Sequence, residues 1–312
     1  MRKHIFGPVP SRRLGLSLGV DLTPTKTCTF DCLYCQLPQT RFHTSERQTF
    51  CNPDEVLSEL KGVLADITKT DWITFSGTGE PTLSKDLGYM IAETKKITDT
   101  PICVITNSSL IHLPEVREAL LMADKVLPTI SSVYEKTWQT IHNPAANLKL
   151  KDVLEGLRIF TKAHKGASEA EIFVCPGLND TNEELKSLSD YINSTGLTSI
   201  YLNTAVRIPL RKDIIRTATP EELEEYKKKL EVQIPVSTAF EHMQVPKNES
   251  KSKKPLEETD ITKLILRHPS SDEQMARVFG VSKEEIAKIT IGLKQKDLIE
   301  QDPKSGYWAL KN

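Results

Sequence analysis

Trp72-Ile73-Thr74-Phe75-Ser76-Gly77-Thr78-Gly79-Glu80-Pro81 sets a short apolar, β-favouring run directly against a glycine-spaced polar loop. A run of that length and composition suits a strand of a parallel sheet covered on its faces. Working outward, the unit recurs. Short apolar runs at 18–22, 72–76, 102–106, 126–130, 171–175 and 199–202 alternate with amphipathic stretches at 53–67, 85–96, 114–122, 150–165, 183–194 and 220–231. Several of these stretches open on Pro or a short polar cap, as helices do. Strands alternating with helices predict an α/β fold built of βα units. Six units make a partial (β/α)6 TIM-like barrel over residues 1–244.

Charge changes character at 247–254, where Lys-Asn-Glu-Ser-Lys-Ser-Lys-Lys carries no apolar residue and precedes Pro255. The pattern predicts a Lys-rich linker at 245–255. Helical patterns at 256–267, 271–279 and 283–296 follow, with the turn Gly280-Val281-Ser282 between the last two and a hairpin turning at 303–306. This order predicts a winged helix-turn-helix domain over 256–312. Its basic and acidic residues are balanced, and Glu284 and Glu285 open the helix that would meet base edges. Carboxylates there repel phosphates, so DNA is the lesser expectation. Docking on the barrel, dimerisation or capture of a peptide or protein substrate suits the unit better.

The whole chain sets bounds. Its 312 residues carry 41 basic and 42 acidic side chains, a net charge of −1, and 38% hydrophobic residues. That balance gives no electrostatic footprint for nucleic acid. The apolar runs are strand-sized and no membrane partner is expected. The start, Met1 to His4, leads into Phe-Gly-Pro-Val-Pro rather than an export signal, so the expected location is cytoplasmic and the cysteines are expected reduced.

Three of the six cysteines fall within eight residues, in Cys28-Thr-Phe-Asp-Cys32-Leu-Tyr-Cys35. Three thiolates on one loop can serve three irons of a cubane and leave the fourth iron open to a small molecule. A zinc site is the alternative, and it wants a fourth Cys or His, for which His43 is poorly spaced. Cys51, Cys103 and Cys175 are scattered, and free cysteine is often a small buried apolar residue.

With these residues quoted, the chain resembles the radical S-adenosylmethionine (SAM) superfamily, whose loop after the first barrel strand has this cysteine spacing. The resemblance implies that Cys28, Cys32 and Cys35 bind a [4Fe-4S] cluster and that SAM is the second cofactor. Gly77, Thr78, Gly79 and Glu80 resemble the family's Gly-Gly-Glu-Pro motif, which holds the amino group of SAM; Thr78 stands where a glycine is commoner. Thr106-Asn107-Ser108 resembles a ribose or carboxylate contact, with Ser131 and Ser132 in similar places. Cys175-Pro-Gly-Leu-Asn179-Asp180 resembles the turn around adenine, and Tyr34 would pack over that ring. The implied reaction cleaves SAM to methionine and a 5′-deoxyadenosyl radical that abstracts hydrogen from a substrate. A one-electron reductant such as flavodoxin or ferredoxin would be the partner.

The stretch from Phe6 to Gly19, with Ile141-His142-Asn143-Pro144 and Tyr201 to Arg207, is similar to the subgroup named after wyosine-type tRNA synthetases. Those enzymes carry a second cluster on upstream cysteines, and no cysteine precedes Cys28. A radical SAM enzyme acting on an unidentified substrate, with a peptide or RNA among the candidates, is therefore the leading expectation. Wyosine-type tRNA modification and an iron-sulfur redox-sensing DNA regulator are the alternatives. Arg12, Arg13 and Arg207 are the candidates for anchoring a substrate anion, since guanidinium pairs with carboxylate or phosphate in a bidentate fork.

Overall fold

The computed structural model describes residues 3–37, 39–67, 69–205, 214–241, 256–267, 269–303 and 306–311. The strands in chain order are β1 Ile5–Ser11, β2 Gly15–Val20, β3 Thr27–Cys28, β4 Phe42–His43, β5 Trp72–Phe75, β6 Ile102–Thr106, β7 Lys125–Pro128, β8 Ala167–Phe173, β9 Ser199–Asn203, β10 Val236–Thr238, β11 Ile299–Gln301 and β12 Trp308–Leu310. The helices are α1 Pro53–Asp66, α2 Leu87–Ile97, α3 Pro114–Leu120, α4 Glu135–His142, α5 Leu150–Ala163, α6 Asn182–Asn193, α7 Pro220–Lys229, α8 Glu258–Arg267, α9 Asp272–Phe279 and α10 Lys283–Gln295.

One eight-stranded sheet runs β1-β2-β5-β6-β7-β8-β9-β10. From β2 to β10 every neighbouring pair is parallel, and β1 lies antiparallel on β2. All six predicted strands form. The sheet exceeds the predicted count with a seventh parallel strand, β10, and the antiparallel β1. Pro8 and Pro10 lie within β1, and they are tolerated because an edge strand does not owe every N–H to a ladder.

Alternate strand residues explain the layering. Leu18, Val20, Ile73, Phe75, Val104 and Ile172 point into one cluster with Leu60 of α1, Met90 of α2 and Phe160 of α5. Each such side chain stabilises the fold by about 1.5–3 kcal/mol on burial. The intervening residues are of another kind: Ser17 bonds Thr74 at 2.6 Å, Cys103 and Leu127 pack on Leu14, and Lys125 pairs with Glu169. The helices thus take the apolar face and leave a mixed polar face opposite. Local chemistry sets the helix starts: Asn52 caps α1 ahead of Pro53, and Thr219 and Glu222 close a capping box on α7.

After residue 255 come α8, α9 and α10 and then the antiparallel pair β11–β12. Ser271 and Gln274 cap α9, and Gly280 ends it at φ +65°. Val9 of β1 shares an apolar cluster with Ile261, Met275, Ile286 and Trp308 of this unit. The first strand of the sheet is therefore also a docking surface for the last helices. The predicted linker at 245–255 lies outside the described residues, as do Lys304 and Ser305 of the hairpin turn.

Candidate metal centre

The cysteine loop leaves the carboxyl end of β2 and is held on two sides. Lys26 N donates to Thr78 O at 3.1 Å and Glu80 N to Thr27 O at 3.2 Å, fastening it to the loop after β5. Leu33 N donates to Ile141 O at 2.9 Å and Ala145 N to Thr29 O at 2.9 Å, fastening it to the end of α4. Cys28, Cys32 and Cys35 are free thiols, all half-buried. Burial, and after it the Glu80 carboxylate, pushes Cys28 up to about 12 against the Phe30 N–H and Lys26. Burial also lifts Cys32 well above the usual thiol value, with Cys28 and Cys35 adding to it. Such thiols stay protonated at neutral pH until a metal takes the proton's place.

Among the described residues no three His, Cys, Asp or Glu side chains gather to hold a single metal ion. A cubane asks for something else, one thiolate on each of three irons. Three cysteines on a fastened loop fit that donor set. His43, the poor zinc candidate, instead puts Nε2 3.1 Å from Thr29 O.

Gly77 and Gly79 are glycine because the cysteine loop lies against them. A β-carbon at Gly77 would meet Asp21 Cγ at 2.1 Å, and one at Gly79 would meet Thr27 O at 1.9 Å. Thr78 is explained by the same contact, since its amide and hydroxyl donate to Asp21 Oδ2 at 3.1 and 3.0 Å. Glu80 is buried and accepts at Oε1 from Thr106 Oγ1 and Thr82 Oγ1, both at 2.6 Å, and at Oε2 from Asn107 N at 2.7 Å. Burial raises its pKa, and these hydrogen bonds work against the rise. Oε2, with one donor, keeps room for another.

The remaining predicted cofactor contacts end neighbouring strands. Asn107 Nδ2 donates to Thr29 Oγ1 at 2.7 Å and lies 3.5 Å from Cys28 Sγ. Ser131 follows β7 with its hydroxyl buried and unpartnered, as are those of Thr27 and Ser108. The hydroxyls of Thr27, Ser108 and Ser131 are thus free to bond a polar cofactor. Asn179 is already engaged: Nδ2 donates to Ser131 O and Phe173 O, and Oδ1 accepts from Cys175 N. Tyr34 stacks on Phe173 with ring centroids 3.8 Å apart, so Phe173 covers one face of its ring.

Three residues beside the cysteines were given no role by the sequence reading. Asp21 braces the 77–79 loop, and its position just past β2 was the only clue. Lys26 brings Nζ within 3.4 Å of Cys35 Sγ. His142, at the last turn of α4, puts Nδ1 3.4 Å from Cys32 Sγ and 3.3 Å from Tyr34 Oη. Burial lowers its pKa to about 3, so the ring is neutral.

The substrate candidates have contacts of their own within the fold. Arg12 Nη1 donates to Ala239 O at 3.3 Å, spanning from the β1–β2 turn to the end of β10. Arg13 pairs with Glu171 at 2.7 Å, approaches Glu169 at 4.0 Å and lies over the Tyr201 ring. Two carboxylates neutralise the charge that was to draw an anion. Arg207 lies outside the described residues.

The family model described as the Radical SAM superfamily matches residues 22–191. The chain is 33% identical over 307 residues to the Brachyspira hyodysenteriae protein named GTPase Obg, covering 97% of this chain and 44% of that one. It is 37% identical over 211 residues to UPF0026 protein MJ1312 of Methanocaldococcus jannaschii, covering 67% of this chain and 65% of the relative. The chain thus spans less than two thirds of either relative. In fold it is similar to Streptococcus suis SuiB bound to S-adenosylmethionine, with TM-score 0.51 and 12% identity over 70% of this chain and 50% of that one. It is also similar to TYW1 with a lysine-pyruvate adduct bound, with TM-score 0.50 and 16% identity over 73% and 76%. At such identities the likeness is one of fold.

Proposed function

The chain belongs to the radical SAM superfamily, and on that footing we propose that Cys28, Cys32 and Cys35 hold a [4Fe-4S] cluster whose fourth iron receives SAM. When bound, the cluster supplies one electron to the sulfonium, giving methionine and a 5′-deoxyadenosyl radical that takes hydrogen from a substrate. The chain's own residues place the reactants. Oε2 of Glu80 would accept from the ammonium of SAM, with the 77–79 backbone beside it as a further polar contact. Ser108 and Ser131 offer their free hydroxyls, and Tyr34, backed by Phe173, closes the adenine side. The observation that carries this reading is the joining of the cysteine loop to the Glu80 loop, through Glu80 N to Thr27 O at 3.2 Å and the Asp21 brace.

The C-terminal unit is read as a winged helix serving as a docked module. Glu284 and Glu285 in the first turn of α10 argue against a phosphate-facing role. A one-electron carrier of the flavodoxin or ferredoxin type is the expected cytoplasmic partner. Among the described residues no helix is long and apolar enough to cross a membrane.

The test is anaerobic reconstitution with iron and sulfide, then SAM and dithionite. Release of 5′-deoxyadenosine by the wild type and its loss in Cys32→Ala support the reading. An iron-loaded wild type that releases none overturns it.

A further inference from the structure

Each sulfur of the triad meets a nitrogen donor from a different part of the chain. Lys26 Nζ stands 3.4 Å from Cys35 Sγ, Asn107 Nδ2 3.5 Å from Cys28 Sγ, and His142 Nδ1 3.4 Å from Cys32 Sγ. The donors come from the loop before the triad, the end of β6 and the end of α4, so their match of one donor to one sulfur is a product of the fold.

Lys26 is the most telling of the three. It is only 5% exposed, its backbone is left-handed at φ +61°, and among the described residues no carboxylate pairs with it. Its one side-chain hydrogen bond goes to Cys35. An ammonium buried beside a neutral thiol is costly; beside a thiolate it is an ion pair. A non-glycine residue at positive φ adds a steric cost, its β-carbon crowding the backbone. The site bears both costs to put a cation against this sulfur. His142 completes the pattern: its Nδ1 lies 3.4 Å from Cys32 Sγ and 3.3 Å from Tyr34 Oη, and a thiolate, which can only accept, favours the tautomer with the N–H on that nitrogen.

We propose that Lys26, Asn107 and His142 are positioning residues that raise the potential of the cluster held by the triad, one N–H donor for each thiolate. Hydrogen bonds and positive charge near the sulfurs favour the form with one more electron, and such bonds are among the determinants of cluster potential. One electron enters from the external carrier and none is exchanged with the three donors. Their effect is to bring the couple within the carrier's reach.

The inference rests on the triad reading, and the experiment separates the two. Wild-type protein is reconstituted and checked for four irons and the spectrum of a reduced [4Fe-4S] cluster; failure here sinks the triad reading itself. Potentials are then titrated by electron paramagnetic resonance for wild type, Lys26→Met, Lys26→Arg and His142→Phe. Removing the cation in Lys26→Met should lower the reduced-to-oxidised ratio at fixed potential at least tenfold, about 59 mV for one electron. Lys26→Arg should recover most of it, and His142→Phe should shift in the same direction by less. Equal midpoints in loaded variants overturn the proposal. Should a variant fail to load, the wild type still decides: iron–thiolate stretches in resonance Raman spectra must move between H2O and D2O, and unmoved bands overturn it.

Discussion

The carboxylate of Asp21 fills the space that a side chain at Gly77 would need, with Cγ 2.1 Å from where a β-carbon there would sit. The same carboxylate takes the amide and hydroxyl of Thr78. Gly77→Ala is therefore expected to cost about 1–3 kcal/mol, the usual range for overpacking, and to weaken SAM binding more than tenfold by moving the loop that bears Glu80. A double-mutant cycle with Asp21→Ala in urea melts checks this. If the two losses simply add, the contact is not what demands glycine.

Glu80→Gln keeps the shape of the side chain but turns an N–H toward donors already in place. Thr82, Thr106 and the Asn107 amide all donate to this carboxylate. A loss of about 1–3 kcal/mol is expected for buried donors left unpaired, together with loss of SAM binding in equilibrium dialysis. Unchanged SAM affinity would remove Glu80 from the cofactor site.

Asp124 gives a pH signature. Burial works against its charge, but the bonds from Lys95 and the Ile102 amide prevail and hold its pKa below the ordinary carboxylate value. A depressed carboxyl contributes stability above its unfolded pKa and loses it as pH falls. Because the Lys95 and Asp124 side chains are 42% and 40% exposed and screened by solvent, Asp124→Asn should cost only about 0.5 kcal/mol near neutral pH, and the gap should narrow below about pH 4. Denaturation curves of both proteins across that range decide it; a gap that stays constant refutes the linkage.

Val9 lies in the seam between β1 and the last helices. Val9→Asp buries an unpaired polar group there, at about 1–3 kcal/mol. Hydrogen exchange should quicken in α8 and α9 while α5 and α6 keep their protection. Uniform quickening would mean that the seam is not a separable contact.

Much of the fold was legible because β-branched runs such as Ile102–Thr106 state their structure locally. What was missed lacks a local signal. β1 hides behind Pro8 and Pro10, and α4 has only eight residues. The triad was legible by spacing alone. Its surroundings were not, because Asp21 meets Thr78 across 57 residues and His142 meets Cys32 across 110. The partners of Arg13 were hidden for the same reason, although the alternation of Glu169 and Glu171 along β8 held a hint of the carboxylates that engage it.

The seam at Val9 also bears on synthesis. Roughly 250 residues separate Val9 from Ile261, about ten seconds or more of translation at 5–20 residues per second. Through that interval a nascent chain holds a bare sheet edge with an uncovered apolar side chain, the kind of surface on which unfinished chains stick together. Pro8 and Pro10 withhold two N–H groups from any stray strand. The prolines that hid β1 from a reader of the sequence thus guard it from other chains while its cover is still being made.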